Sequence, residues 1–434
     1  MDFLITPAAA RSGTVTVPGD KSISHRALML GSIAEGTTEI SGFLAGEDCL
    51  ATLDAFLAMG VSIERQSATE LTVRGVGLNG LSAPAGQIDL GNSGTAMRLM
   101  TGLLAAQSFS SELIGDESLN GRPMTRIITP LTEMGAVVES DCDGTPPLQI
   151  RGGLRLSGIT YELPMASAQV KSCILLAGLY ADGPTIVIEP DVTRDHTERM
   201  LRSMGVDVVT DGNRISLEPG QKLTGTAIRV PADLSSATFV MLAAALSDDA
   251  DVLIENVGVN PTRRGVIDIL TAMGADLSLE NPRQFGDEPV ADIRVRSSAL
   301  KGIEVDPALV SLAIDEFPAL FVAAGAADGE TRFTGLKELR VKESDRIAAM
   351  SAGLRNLGIE VDEFEDGALV KGGSFNGGTV ESFGDHRIAM SLAVAGSVAS
   401  GQVTVRETDA VDTSFPGFAG LMAGLGLSIQ VNSS

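Results

Sequence analysis

The chain has 434 residues, 56 acidic against 32 basic, for a formal net charge of −24 at pH 7. Phosphate-backbone affinity comes from Lys and Arg releasing counterions, so this balance excludes a nucleic-acid binder and argues against docking on an anionic membrane. With 44% apolar residues, 20% charged and no Trp, it reads as a globular protein with an aliphatic core, long enough for two domains.

Along the chain two kinds of segment alternate. Ala-rich, almost wholly apolar segments that open on small or polar residues lie at 21–36, 93–107, 167–183, 235–248, 315–329 and 385–401. Helices apolar on most faces are buried helices. After each comes a Leu-rich segment ending in Met-Gly or Leu-Gly and running into a short alternating stretch, at 53–64, 131–139, 201–209, 270–280, 354–362 and 421–430. The glycines Gly60, Gly135, Gly205, Gly274, Gly358 and Gly426 fall at intervals of 75, 70, 69, 84 and 68. Each reads as an amphipathic helix stopped by a glycine just past its end, followed by a strand. Six ordered recurrences of about 72 residues predict six βαβαββ units with right-handed crossovers.

The repeat is crossed by an echo. Val-Pro-x-Asp followed by a helix-opening Ser occurs at 17–24 (VPGDKSIS) and again at 230–237 (VPADLSSA). Two Pro-marked crossings predict a three-unit domain over 21–229 and a second built from 1–20 plus 230–434. The hinges would lie near 17–21 and 230–233, a two-strand arrangement that permits closure around a ligand.

Several chemistries are missing. Cys49, Cys142 and Cys173 are scattered and form no CxxC pair, and no His/Asp cluster has ligand spacing, so neither a disulfide framework nor a metal site is expected. The longest apolar runs, such as 317–327, fall short of the ~20 residues a bilayer span needs. The start of the chain lacks a basic region followed by an apolar one, and a cytoplasmic location is the expectation.

What remains is a concentration of polar residues at the mouths of the apolar helices. A helix N-terminus offers unpaired N–H groups and a positive dipole end, which suits an anion. Five of the six segments carry a charged or acid–base residue there. Lys21, Ser22 and Arg26 mark the first, Gly94 and Arg98 the second, and Ser167, Gln169 and Lys171 the third. Asp315 and Glu316 open the fifth, and Asp385, His386 and Arg387 the sixth. Linking segments add Arg122 (115–126), Arg194 and His196 (189–200), and Lys342, Glu343 and Arg346 (336–347). Asp315 precedes an apolar run, surroundings that raise a carboxylate pKa and favour base chemistry, while Glu343 is flanked by Lys342 and Arg346. His25, His196 and His386 each lie near an Arg, and a hydrogen-bonding role is expected for them before catalysis. Arg199, Arg202 and Lys337 read as ordinary surface ion pairs.

The motifs GDKSISHRALML, LGNSGTAMRL, NGRPM, ASAQVKS, TRDHTERM, DEFPAL, VKESDRI and GDHRIAM, in this order over residues 18–416, resemble the 5-enolpyruvylshikimate-3-phosphate synthase family, in particular its class II forms. The resemblance implies an α/β fold of two domains, each an inside-out barrel of three βαβαββ units. It implies transfer of the enolpyruvyl group of phosphoenolpyruvate to the 5-hydroxyl of shikimate 3-phosphate, by a monomer, with no metal or organic cofactor. Carried over motif by motif, it puts shikimate 3-phosphate against Lys21, Ser22, Arg26, Ser167, Ala168, Gln169, Arg194, Asp315 and Lys342. Phosphoenolpyruvate would lie against Lys21, Gly94, Arg122, Gln169, Arg346 and Arg387, with Asp315, Glu343 and Lys21 as catalytic groups. Gly94 implies sensitivity to glyphosate. The sequence departs from the family pattern at Leu99 (Pro elsewhere), Ala168 (a second Ser elsewhere) and Thr413 (Lys in enterobacterial forms). Two alternatives stand beside this reading: the sister transferase acting on UDP-N-acetylglucosamine, and a non-catalytic anion-binding protein of the same fold. The first has Lys-Asn where Lys21-Ser22 stands here; the second predicts loss of Asp315, Glu343 or Lys21.

Overall fold

In the computed structural model, which describes residues 1–432, the chain forms two compact units. The N-terminal unit holds Gly19–Val230 and the short Phe285–Glu288 turn. The C-terminal unit holds Met1–Pro18, Pro231–Gln284 and the chain from Pro289 onward. The chain passes between units at Pro18 and again at Val230, and the 285–288 turn is grouped apart from the strands that flank it.

In the N-terminal unit the helices are α1 (Lys21–Ser32), α2 (Glu47–Ala58), α3 (Gly94–Leu104), α4 (Glu117–Asn120), α5 (Thr125–Glu133), α6 (Ala168–Gly178) and α7 (His196–Ser203). In the C-terminal unit they are α8 (Leu234–Leu246), α9 (Gly265–Ala272), α10 (Val310–Ala313), α11 (Phe317–Ala326), α12 (Arg346–Asn356), α13 (His386–Ser397) and α14 (Phe418–Gly424). The six Ala-rich segments are α1, α3 and α6 in one unit and α8, α11 and α13 in the other. They are buried on nearly every face and form the centre of two separate apolar cores. Each fully buried Leu or Ile there contributes about 1.5–3 kcal/mol.

Three small sheets surround each set of buried helices, and five of the six have four strands. Each four-stranded sheet has a parallel edge pair, with antiparallel strands beyond it. In one, Thr160–Glu162 runs parallel to Thr185–Ile188, which is antiparallel to Arg214–Leu217, itself antiparallel to Val208–Asp211. The parallel pair needs a crossover, which the buried helix supplies, while the hairpin needs only a tight turn. In the three-stranded sheet the isolated parallel bridges Lys301↔Asp328 and Glu304↔Arg332 take the place of the edge strand.

Three sheets are completed by strands remote in sequence. Ala227–Arg229 supplies the parallel edge beside Glu35–Ser41, and Asp2–Thr6 lies between Val403–Arg406 and Ser428–Asn432, antiparallel to both. Gly13–Val15, which precedes α1 in the chain, instead pairs with Asp251–Gly258 of the C-terminal unit. The strands leading into α1 and α8 are therefore exchanged relative to the linear repeat, and each unit holds three repeats of the βαβαββ kind, one of them with bridges in place of its edge strand.

The glycines that set the repeat are all left-handed. Gly60, Gly135, Gly205, Gly274, Gly358 and Gly426 have φ of 86°, 96°, 90°, 92°, 87° and 100°. Each follows an amphipathic helix and lets the chain reverse into a strand without the steric cost an L side chain would meet. No helix among the described residues is long and apolar enough to cross a membrane.

Candidate functional site

In the N-terminal unit the mouths of α1, α3 and α6 carry a network of polar side chains. Asp20 caps α1 by accepting from Ile23 N (2.9 Å), Ser93 caps α3 through Ala96 N (3.1 Å), and Ser167 caps α6 through Val170 N (3.4 Å). Such caps contribute about 1 kcal/mol each and fix where the remaining N–H groups point. Lys21 Nζ pairs with Asp48 Oδ2 at 2.5 Å. Arg26, buried, donates to Ser22 O (2.9 Å), Thr197 Oγ1 (2.7 Å) and Ser172 Oγ (2.8 Å). Burial pulls the Arg26 pKa down to about 10; Glu198 opposes that, and the nearby Arg194 charge adds to it. Two cations held close enough to repel form a site that an anion relieves.

Gln169 links α6 to α3. It accepts from Arg98 Nη1 at 2.6 Å and donates to Thr95 Oγ1 at 2.9 Å. Arg122 Nη2 donates to Asn92 Oδ1 (2.6 Å) and Ser118 Oγ (3.2 Å). Gly94 lies beneath both guanidinium groups, and a Cβ there would sit 3.1 Å from Nη1 of Arg98 and of Arg122. Lys21, Arg26, Arg98, Arg122 and Arg194 thus gather at these helix mouths, with Asp48 and Asp20 as the carboxylates beside them, and form the cationic cluster.

The C-terminal unit holds a second cluster of different sign. Arg346, buried at its centre, reaches Asp385 Oδ2 through Nε (2.8 Å), Glu343 Oε2 through Nη2 (2.5 Å) and Asp315 Oδ1 through Nη1 (3.4 Å). Burial works against its charge, but Asp385, Glu343 and Asp315 outweigh that and hold its pKa above the ordinary arginine value. Lys342 Nζ lies 3.6 Å from Asp315 Oδ1, and Arg387 Nη1 donates to Asp315 O at 3.0 Å. Asp385 also caps α13 through Arg387 N (2.9 Å) and accepts from Ser344 Oγ (3.1 Å). Here four cations, Arg263, Lys342, Arg346 and Arg387, meet five carboxylates, Asp233, Asp315, Glu316, Glu343 and Asp385, a small acidic excess.

Two expectations are corrected. The surroundings of Asp315 are not apolar, since its carboxylate lies against Lys342 and Arg346 while the Phe317–Ala326 run turns into the core. The fourth apolar helix, which seemed bare of charge in sequence, is not: Asp233 caps α8, and Arg263 donates to Asp233 Oδ1 (3.0 Å) and Ser235 Oγ (2.5 Å). Ser235 in turn donates to Glu316, which also lies 3.7 Å from Arg387. Occupied in this way, Glu316 makes no side-chain cap on α11.

Other assignments are simpler. His25 is buried, with Nδ1 2.8 Å from Thr52 Oγ1 and Nε2 3.3 Å from Ser93 Oγ, and it braces the cap of α3. His196 Nδ1 lies 2.7 Å from Glu288 Oε1. Arg199 pairs with Asp195 (2.8 Å) and exposed Lys337 with Glu365 (2.9 Å). Arg202 instead donates to Val208 O at 3.0 Å. At the departures from the family pattern, Leu99 is fully buried in α3, Ala168 opens α6, and Thr413 Oγ1 donates to Ala410 O at 2.7 Å.

Sequence reasoning passed over Asp48, Thr197, Ser172, Asp233, Ser235 and Arg263. The one available signal was the Val-Pro-x-Asp echo, whose aspartates Asp20 and Asp233 both proved to be caps. A cavity of about 260 Å³ lined by Asn79, Arg155, Tyr180 and Asp182 lies where the chain leaves α3 and α6, beyond their C-terminal ends, and includes none of the candidate residues.

The comparisons with known proteins agree across the chain. The family model for EPSP synthase (3-phosphoshikimate 1-carboxyvinyltransferase) matches residues 5–422. Curated relatives named 3-phosphoshikimate 1-carboxyvinyltransferase include one from Methylococcus capsulatus, 56% identical over 99% of this chain and 98% of its own length. Another, from Alkalilimnicola ehrlichii, is 56% identical over 99% of this chain and 96% of its own length. A solved EPSP synthase from Acinetobacter baumannii superposes with a TM-score of 0.89 at 56% identity, covering 100% of both chains. A full-length match at this identity is far above what a shared fold alone produces, and the chain belongs to the EPSP synthase family.

Proposed function

We propose that this chain transfers the enolpyruvyl group of phosphoenolpyruvate to the 5-hydroxyl of shikimate 3-phosphate, releasing phosphate, as a step of the shikimate pathway to aromatic amino acids. The observation that carries this reading is the end-to-end likeness to 3-phosphoshikimate 1-carboxyvinyltransferases at 56% identity. The protein acts as a cytoplasmic monomer on small anionic substrates, and glyphosate inhibits it.

Bringing two phosphorylated substrates together requires preorganised cations and N–H groups that offset their repulsion. The cationic cluster of the N-terminal unit suits that task. Lys21, Ser22, Arg26, Ser167, Ala168, Gln169 and Arg194 hold shikimate 3-phosphate, with the phosphate toward Arg194 and the mouth of α6. Lys21, Gly94, Arg122 and Gln169, with Arg346 and Arg387, hold phosphoenolpyruvate.

The mixed-charge cluster of the C-terminal unit, rich in carboxylates, suits proton transfer. Asp315, steadied by Lys342, takes the proton of the 5-hydroxyl as its oxygen bonds to C2 of phosphoenolpyruvate, and Glu343 in its acid form gives a proton to the methylene carbon. Glu343 then removes a proton from the new methyl group as the C2–O bond to phosphate breaks, and Lys21 stabilises the departing phosphate. The proton held by Asp315 passes to that phosphate, so both carboxyl groups regain their starting forms. The arrangement of Arg346 supports this division of labour. It reaches both carboxylates, and during addition one of them gains a proton while the other loses one, so the charge facing the guanidinium is constant.

The test is phosphate release from shikimate 3-phosphate plus phosphoenolpyruvate. Absence of release, or equal release with UDP-N-acetylglucosamine, overturns the assignment. Asp315→Ala and Glu343→Ala should each lower kcat by about a hundredfold or more; unchanged rates would remove those residues from the mechanism.

A further inference from the structure

Below the cationic cluster lies a buried charged triad that the proposed chemistry does not use. Lys171, on the second turn of α6, is 1% exposed, and its Nζ lies 2.9 Å from Glu189 Oε2 and 2.8 Å from Glu198 Oε1. Glu189 and Glu198 are themselves 2% and 1% exposed. Burial works against the Lys171 charge, but Glu198 and Glu189 outweigh it and hold its pKa above the ordinary lysine value. One ammonium against two carboxylates leaves the triad with a net charge of −1 in the interior. Apolar side chains of similar volume would stabilise the fold as well or better, so such a group calls for another explanation.

The explanation lies in what the triad grips. Lys171 Nζ also donates to Thr193 O at 3.3 Å, and Thr193 Oγ1 donates to Glu189, so the residue just before Arg194 is held at two points. One residue along each helix, Ser172 on α6 and Thr197 on α7 are hydrogen-bonded to each other at 2.7 Å, and both accept from the Arg26 guanidinium. Lys171–Glu198 and Ser172–Thr197 thus form two adjacent rungs between the same pair of helices. The inner rung is ionic and the outer one carries Arg26. The triad's residual negative charge also faces Arg26, where Glu198 is the largest of the influences favouring the guanidinium charge. Arg26 and Arg194 repel each other, and fixed links of this kind hold them against that repulsion.

We propose that the Lys171–Glu189–Glu198 triad is a positioning element that sets the phosphate affinity of Arg26 and Arg194, a proposal that rests on the reading of those two arginines given above. None of the three triad residues touches substrate. They act by fixing Thr193 and Thr197, and through them the two guanidinium groups.

The test compares the affinities of shikimate 3-phosphate and unphosphorylated shikimate, measured by calorimetry on the intact protein. The double variant Lys171→Met, Glu198→Gln removes the clamp and keeps the net charge of −1. Its preference for the phosphorylated ligand should fall about tenfold, while KM for phosphoenolpyruvate and kcat change less than about threefold. An unchanged preference in a folded variant overturns the proposal. Should the double variant fail to fold, Thr193→Val severs only the link to Glu189, and it should lower the same preference by about twofold or more; no change there overturns the proposal equally. Arg194→Ala, measured alongside, separates the two levels of inference. If it leaves the preference intact, the reading of the arginines fails. If it abolishes the preference while the triad variants do not alter it, the positioning role alone fails. Combining Arg194→Ala with the double variant should cost less than the sum of the two, as residues acting through one another do.

Discussion

The guanidinium of Arg346 and the carboxylate of Asp385 form a two-pronged pair in the interior of the C-terminal unit, Nε to Oδ2 at 2.8 Å and Nη2 to Oδ1 at 3.3 Å. Neither side chain is more than 1% exposed. The same carboxylate caps α13 through Arg387 N, so one aspartate orients both arginines proposed to hold phosphoenolpyruvate. Removing one partner of a buried pair leaves an uncompensated charge. Asp385→Ala should therefore destabilise the protein by about 3–5 kcal/mol, read as the shift in denaturant midpoint at constant slope. A loss below about 1 kcal/mol would mean that water reaches Arg346.

The same pair carries a pH dependence. Burial pushes the Asp385 carboxyl up, but Arg346 outweighs that and holds it below its ordinary value of 3.8. A group depressed in the fold contributes stability that is present above the unfolded pKa and is lost as pH falls through the folded one. The stability difference between the protein and Asp385→Asn should be constant above about pH 5 and shrink below about pH 4. Urea unfolding across that range measures it, and a pH-independent difference would contradict the pairing.

His25 should stay uncharged through the physiological range. Burial, reinforced by Lys21 and Arg26, holds its pKa well below 6.5, while Asp20 pulls the other way. The unfolded chain then binds a proton that the fold does not, so stability falls as pH drops below about 6.5. Replacing His25 with Phe should remove that slope. It should also raise KM for phosphoenolpyruvate through Ser93, which loses a partner beside the turn at Gly94. An imidazole that titrates near 6.5 by NMR would contradict this account.

Gly94→Ala would set a methyl group 3.1 Å from two guanidinium nitrogens, tighter than ordinary contact. Those nitrogens are the far ends of flexible side chains, so they can give by a few tenths of an ångström. The expected result is a folded enzyme in which glyphosate inhibition weakens much more than KM for phosphoenolpyruvate rises. An unchanged inhibition constant would remove Gly94 from that contact.

The repeat glycines can be tested without touching chemistry. Gly205 has φ of 90°, and a Cβ there would meet nothing within 4 Å, so Gly205→Ala isolates backbone strain at a cost of about 1 kcal/mol. At Gly358 a Cβ would fall 2.2 Å from Asn376 Nδ2, and the corresponding substitution should cost more. Equal losses in thermal unfolding would show that strain alone decides both.

The sequence by itself determined the repeat, its six glycine stops and the six buried helices, because these are local matters. An apolar face has a period, and a left-handed C′ position selects glycine wherever it occurs. It also marked most of the charged candidates, since a Lys or Arg in a Gly- or Ser-rich turn stands out in an acidic chain. Tertiary structure decided which strand completes which sheet, as Ala227–Arg229 and Asp2–Thr6 join partners far along the chain and register with a distant strand leaves no local pattern. It decided charge partners for the same reason. Asp48 under Lys21 and Arg263 between Asp233 and Ser235 lie 27 and at least 28 positions away, where the fold and not the spacing brings opposite charges together. The net charge of −24 therefore described the chain's average, and only the fold showed a cationic cluster in one unit and a mixed, slightly acidic one in the other.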